Sequence, residues 1–322
     1  MKSFDIIIPT YRPQKSFEKL LYMLGRQQLP AGRLILVNTE RQLWEAAEFD
    51  HRILETGRLE NGTAVELYHI RSDEFDHGGT RAWAAGHSDA DVLMFMTQDA
   101  MPQDEFLTQH LINAFSKDTS GMIAAAYARQ EPTEDCSYLE AYTRSFNYGN
   151  QSFVKSREDL PELGIKTFFC SNVCAAYLRE AYELLGGFEK HTIFNEDMIL
   201  TARLVQRGYR VAYVAEARVI HSHNYNGRQQ FQRNFDLAVS QTEHPEIFAQ
   251  VRSESEGIRL VKRSAAYLIR QHKTGMLAEL FWQSACKYLG YRMGKRWKRL
   301  PRAVVLRCTM SPHAGFWKNK FF

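Results

Sequence analysis

Between Phe4 and Met96 the chain alternates short aliphatic runs with longer amphipathic stretches. Phe4 to Pro9, Leu34 to Val37, Tyr68 to Ile70 and Asp91 to Met96 read as strands, each a brief β-branched or aliphatic run. Gln14 to Gln28 carries Phe17, Leu20, Leu21 and Leu24 at helical spacing. This alternation predicts a Rossmann-like α/β domain with a mostly parallel sheet, because parallel neighbours need a crossover long enough for a helix. Ligands of such sheets gather at the carboxyl ends of the strands, so the residues just after each strand are the first candidates for chemistry.

Thr80 to Ala85, bracketed by Gly78, Gly79 and Gly86, begins a helix, and the text MPQDEFLTQHLINAF after Asp99 reads as another with Pro102 near its first turn. Residues 130 to 167 are polar and interrupted by Pro132 and Pro161, which predicts an irregular, partly mobile region. A second ordered block runs from Phe168 to His223, and beyond residue 236 the pattern is helical and increasingly basic. Residues 1–235 are therefore expected as a catalytic domain and 236–322 as a basic helical region.

With 19 Gly, 9 Pro and 5 Cys in 322 residues, the chain is neither collagen-like nor a disulfide scaffold, and its 44% hydrophobic content excludes disorder throughout. The cysteines form no CxxC pair, so a reducing cytoplasm is the expected compartment. MKSFDIIIPTYRP reads as a first strand rather than a signal peptide, and no apolar stretch suits a spanning helix. Charge is unevenly divided. From Gly257 to Phe322 there are 15 Lys and Arg against the single acid Glu279, whereas the first 256 residues hold 26 basic and 36 acidic residues. An acidic body with a basic tail is the simplest reading.

The string FMTQDAMP ends a strand in Gln98-Asp99. A carboxylate there can hold a divalent cation with a nucleoside diphosphate, or merely cap the following helix. Asn195-Glu196-Asp197 precedes the amphipathic stretch Met198 to Gln206. Its acids can complement a helix dipole, or one can act as a general base toward a sugar hydroxyl while the other orients it. His221 and His223 close a strand at i and i+2, on one side of an extended chain, where an imidazole could complete a metal shell begun by Asp99. His221 is the favoured ligand. Asp76-His77-Gly78-Gly79-Thr80-Arg81 joins a turn that lets backbone approach a diphosphate to a guanidinium able to pair with its oxygens. Pro9-Thr10-Tyr11-Arg12 and Asn38-Thr39-Glu40, each after a strand, are candidate nucleoside contacts.

Taken in order, the first strand with Pro9-Thr10-Tyr11, then FDHGGTR, TQDA, SNVCAAY, GGF, NED and HSHNY resemble glycosyltransferase family 2. These are inverting nucleotide-sugar enzymes of the GT-A fold, and the likeness is strongest to the bacterial rhamnosyltransferases. The resemblance implies that Asp99 binds Mg²⁺ or Mn²⁺ with His221 or His223, that Asp197 is the catalytic base beside Glu196, and that Arg81, with Asp76 and Gly79, meets the diphosphate. It places Gln98 with the donor, and Asn172, Gly187 and Phe188 with the acceptor. The chain departs from the family at Thr97, where many members carry an aspartate, at Ala82, where Asn is common, and at Asn38-Thr39-Glu40, which replaces an acidic pair.

The activity so implied is transfer of L-rhamnose from dTDP-β-L-rhamnose to a lipid-linked cell-surface glycan. A UDP-hexose donor, or a non-catalytic glycan- or membrane-binding protein on this fold, are the alternatives. The tail mixes its cations with Tyr267, Leu268, Phe281, Trp282, Tyr288, Tyr291, Trp297 and Trp317, which suits the anionic inner face of a bacterial plasma membrane and predicts a cytoplasmic, peripheral protein. Nucleic acid is disfavoured by the acidic body, and a solvated appendage or homo-oligomer surface is the other reading of the tail. A separable tail predicts that truncation near residue 257 spares donor binding.

Overall fold

The strand β1 (Phe4–Tyr11) is buried on both faces, which accounts for its unbroken aliphatic run. Ile6 and Ile8 enter one apolar layer with Leu34, Leu36, Met94 and Met96, while Ile7 enters the opposite layer with Ile35, Val37, Leu93 and Phe95. The computed structural model, which describes residues 2–249, 254–312 and 314–321, extends this centre into a nine-stranded sheet.

β1, β2 (Arg33–Thr39), β3 (Ala64–Ile70) and β4 (Val92–Met96) are the four strands legible in the sequence, and all pair in parallel. After them come β5 (Met101–Pro102), β6 (Ile123–Glu131), β7 (Phe153–Lys155), β8 (Cys174–Leu178) and β9 (Arg210–Ile220). The order is β3-β2-β1-β4-β8-β6-β9-β5, with β7 also on β9. β8 runs antiparallel to both β4 and β6, and β6 runs parallel to β9. The carboxyl ends of β1, β4, β6 and β9 therefore share one sheet edge with the amino end of β8.

Helices cover both faces. α1 (Lys15–Gly25) and α4 (Leu107–Ser116) pack on the first apolar layer, and α3 (His77–Ala85), α7 (Arg179–Leu184) and α8 (Glu196–Gln206) on the second. The short α2 (Arg41–Glu45) follows β2. Pro102 lies in β5 rather than in the first turn of α4, because Met101 and Pro102 pair with Ile220 and Val219. Residues 130–167 are also better ordered than their composition predicts, containing α5 (Tyr138–Asn147), β7 and α6 (Leu160–Leu163). Lys155 pins this region: its side chain is buried, and Nζ donates to the carbonyls of Lys166 (3.0 Å) and Phe169 (2.5 Å).

The carboxyl-terminal helices are α9 (Gly227–Glu243), α10 (Pro245–Phe248), α11 (Glu254–Arg270), α12 (Leu277–Gly294), α13 (Arg302–Cys308) and α14 (Gly315–Phe321). The expected boundary after residue 235 falls inside α9, so no linker separates tail from body there. α12 lies so close to α9 that a Cβ on Gly290 would stand 2.1 Å from the Phe231 carbonyl oxygen. Trp297, Val305, Phe316 and Trp317 bury against Ile193, Phe235 and Val239 in one core. Leu268, Tyr291, Trp297 and Trp317 are thus interior residues. Of the tail's aromatic residues, Phe281, Trp282 and Tyr288 face outward.

Candidate active site

β5 pairs with the end of β9, Met101 opposite Ile220, and this stitches the turn after β4 to the residues after β9. Asp99 Oδ2 consequently lies 3.5 Å from His221 Nε2 and 3.4 Å from His223 Nε2, and one donor atom from each residue fits within 4.8 Å of the others. His221 is buried, with Nδ1 3.2 Å from Gln130 Oε1. The Gln130 amide nitrogen donates to Ser171 Oγ (3.0 Å), so its oxygen accepts and His221 carries its proton on Nδ1. Nε2 is left facing Asp99. Burial opposes the charge on Asp99, but His221 and then His223 hold its carboxyl well below the usual carboxylate range. Burial and the neighbouring His221 push His223 down to about 4, so it is neutral at pH 7 as a ligand must be. A carboxylate with two imidazoles fits a divalent cation, and the nitrogen donors suit Mn²⁺ better than Mg²⁺.

The second cluster forms where α8 begins. Asn195, left-handed at φ 65°, turns the chain so that Glu196 and Asp197 open the helix, two residues earlier than periodicity predicts. Asp197 is half-buried and accepts two backbone N–H groups, from Asn172 (3.0 Å) and Met198 (2.7 Å). Asn172 Nδ2 donates to Glu196 Oε1 (3.2 Å), and the Tyr177 hydroxyl donates to Asn172 Oδ1 (3.0 Å). Asn172, 3% exposed, is therefore a brace for the two acids rather than an acceptor contact. Glu196 pairs with Arg81 at 3.3 Å. Burial works against the Glu196 charge, but Arg81 and His77 outweigh it and keep the carboxyl low. Asp197 is driven the other way, to about 7, by burial and by the charge on Glu196. Of the two, Asp197 has the proton affinity of a general base near neutral pH.

The other expected contacts divide into exposed and structural ones. Tyr11 and Arg12 are exposed at the end of β1, with the Arg12 guanidinium 5.2 Å from the Tyr11 ring. Pro9 and Thr10 lie within β1, and Gln98 clamps Tyr11, accepting from its N–H (2.8 Å) and donating to its carbonyl (2.9 Å). Asn38 and Thr39 are interior: Asn38 accepts from Thr10 Oγ1 (3.3 Å) and donates to the Glu40 carbonyl (3.0 Å). Glu40 accepts the Ser72 N–H (2.6 Å). Asn38 and Thr39 therefore shape the loops and are too buried to meet a base.

Asp76 caps α3 by accepting from the N–H groups of Gly78 (3.1 Å) and Gly79 (2.7 Å). The close approach predicted for a diphosphate at this turn is made by the protein itself, since a Cβ on Gly78 would fall 1.8 Å from the Glu189 carbonyl oxygen. Phe188 is 1% exposed among the rings of Phe95, Tyr177 and Tyr182, and Gly187 (φ 73°) supplies the turn beside the Tyr182 ring. Neither offers an acceptor a surface.

Three residues of the site escape the sequence reading. His77, beside Glu196 and Arg81, is pushed down by burial and sits with the acid pair. Gln130 orients His221. Arg233, on α9, is exposed and lays its guanidinium 4.7 Å from the Phe194 ring and 5.7 Å from that of Tyr225, which stacks on His223 at 5.0 Å. It makes no ion pair among the described residues. Only the proximity of Gln130 to the end of β6 is a signal a sequence carries.

Residues 5–186 match the family Glycosyl transferase family 2. The chain is 37% identical over 316 residues to the O-antigen chain rhamnosyltransferase RfbN of Salmonella typhimurium, which covers 98% of this chain and 96% of that protein. It is 35% identical over 322 residues to the O-antigen chain rhamnosyltransferase WbaN of Salmonella anatum, covering 99% and 97%. Among solved structures it resembles the Pyrobaculum calidifontis mannosyltransferase in complex with GDP-mannose and Mn²⁺, with a TM-score of 0.56, 14% identity, and coverage of 99% of this chain and 87% of that one. That last likeness is one of fold. On sequence and architecture together, this chain belongs to glycosyltransferase family 2 and has the GT-A fold.

Proposed function

We propose that the protein transfers L-rhamnose from dTDP-β-L-rhamnose, with inversion, to a lipid-linked O-antigen intermediate at the inner face of the plasma membrane. The observation that carries this reading is identity of more than a third, over nearly the whole of both chains, with two O-antigen rhamnosyltransferases.

The acceptor hydroxyl gives its proton to a carboxylate oxygen of Asp197 while its oxygen bonds to the anomeric carbon. The bond from that carbon to the diphosphate breaks in the same displacement, and its electron pair leaves with dTDP, giving an α-L-rhamnoside. Asn172 holds Asp197 in place through its backbone N–H, and burial with the charge on Glu196 keeps the base's proton affinity high. Asp99, His221 and His223 would hold Mn²⁺ or Mg²⁺, which when bound neutralises charge on the departing diphosphate. Arg233, the exposed cation on the same side, takes the role first assigned to Arg81. The test is a donor panel of dTDP-rhamnose, UDP-glucose and UDP-galactose, with and without Mn²⁺. Turnover confined to dTDP-rhamnose supports the reading, and preference for a UDP-hexose overturns it.

A further inference from the structure

α12 is apolar on two opposite sides, and its packing explains only one. Leu280, Gly290, Tyr291 and Gly294 form the buried side. Phe281, Trp282, Tyr288 and Leu289 form the other, each more than half exposed. Their spacing of i, i+1, i+7 and i+8 makes one continuous stripe along the helix. Arg292 extends the stripe by a turn and is exposed, as are Lys295 and Arg296 just beyond. These last two, with Lys298 and Arg299, line a cavity of about 350 Å³. α11, which packs on α12, adds exposed Ile269 and Arg270.

We propose that this outer face of α12 is the surface by which the protein sits on an anionic lipid bilayer. Phe281, Trp282, Tyr288 and Leu289 enter the headgroup boundary, and Arg292, Lys295 and Arg296 meet lipid phosphates. The proposal rests on the reading that the acceptor is lipid-linked. Charge decides between a bilayer and a second copy of the chain. Two copies meeting through this stripe would bring together two surfaces of the same strongly positive region, whereas an anionic leaflet complements the rim and the 15-to-1 basic excess of residues 257–322. No helix among the described residues is long and apolar enough to cross a membrane, so the stripe is a contact in the plane of the interface.

The test is flotation of the full chain with vesicles of phosphatidylethanolamine and phosphatidylglycerol, and with vesicles of phosphatidylcholine alone. The combined variant Phe281→Gln, Trp282→Gln, Leu289→Gln is expected to lose roughly tenfold or more in partitioning at any salt concentration. Arg292→Gln with Lys295→Gln and Arg296→Gln is expected to lose a similar factor at low salt and little at high salt, where screening has already removed the attraction. Thermal melting and hydrolysis of dTDP-rhamnose stay at wild-type levels in both variants. Undiminished flotation of the apolar variant overturns the proposal, as does light scattering that shows a wild-type dimer dissociated by the same substitutions. If dTDP-rhamnose is not used at all but flotation still depends on the stripe, the donor assignment fails and the membrane face stands.

Discussion

Arg81 and Glu196 form an ion pair at 3.3 Å, with their side chains only 8% and 9% exposed. This pair engages the guanidinium and keeps Glu196 charged. A charged Glu196 beside Asp197 raises the proton affinity of the second carboxylate and not the first, as the proposed base requires. The two adjacent acids are thus separated in role by a cation from a different helix.

Glu196→Gln leaves Arg81 buried without its counter-charge and is expected to destabilise the protein by about 3–5 kcal/mol. It also removes the charge that raises Asp197, so the acid limb of the pH–rate profile moves to lower pH. Denaturant unfolding and the profile measure these separately, and an unmoved limb contradicts the division of roles.

Asp197→Asn is expected to lower kcat by about 10² to 10⁴ while nucleoside diphosphate affinity, read by calorimetry, is retained. In the wild type, kcat/KM declines as pH falls through about 7, because the base becomes protonated. Stability has the opposite slope. The folded pKa lies above the unfolded value of about 3.9, so the relative stability this group confers at low pH is lost as pH rises through about 7. The Asn variant lacks that component of the slope.

EDTA is expected to abolish transfer, and Mn²⁺ at about 100 times its dissociation constant to add about 2.7 kcal/mol of stability. Asp99→Ala and His221→Ala remove the Mn²⁺-dependent rise in melting temperature. Gln130→Leu, which releases His221 Nδ1, weakens Mn²⁺ binding by about 10- to 100-fold. Equal melting shifts in wild type and Asp99→Ala would mean the ion binds elsewhere.

Arg233→Ala is expected to weaken dTDP binding by roughly tenfold, with stability changed by no more than about 0.5 kcal/mol because the residue is exposed. Arg81→Ala does the reverse, chiefly unfolding the protein. Similar donor affinity in Arg233→Ala and wild type returns the diphosphate to another cation.

Truncation near residue 257 is expected to yield unfolded or aggregated protein, not a donor-binding body. It strips Trp297, Val305, Phe316 and Trp317 from Ile193, Phe235 and Val239. Each large side chain contributes about 1.5–3 kcal/mol by burial, and their sum rivals a typical total stability of about 5–15 kcal/mol. Circular dichroism of the truncated chain checks this, and a cooperative transition near the wild-type temperature refutes it.

The sequence alone determined the parallel centre of the sheet, because β1, β2 and β4 are buried on both faces and declare themselves as aliphatic runs with helical stretches between them. It also determined which strand ends carry carboxylates and imidazoles, hence Asp99, His221 and His223, and which helix start carries the acid Asp197. What it could not determine was which polar residues face ligand and which face protein. Asn38, Asn172, Arg81 and Gly78 have the chemistry of ligand contacts, yet each is consumed by a partner distant in sequence: His69, Glu196 and Glu189 among them. The tail shows the same limit. Its aromatic residues look alike in the sequence, but the contact between α12 and α9 turns Tyr291 inward and leaves Trp282 outside. Composition and periodicity report what a residue is able to do, whereas its partners are set by long-range packing, which only the tertiary structure decides.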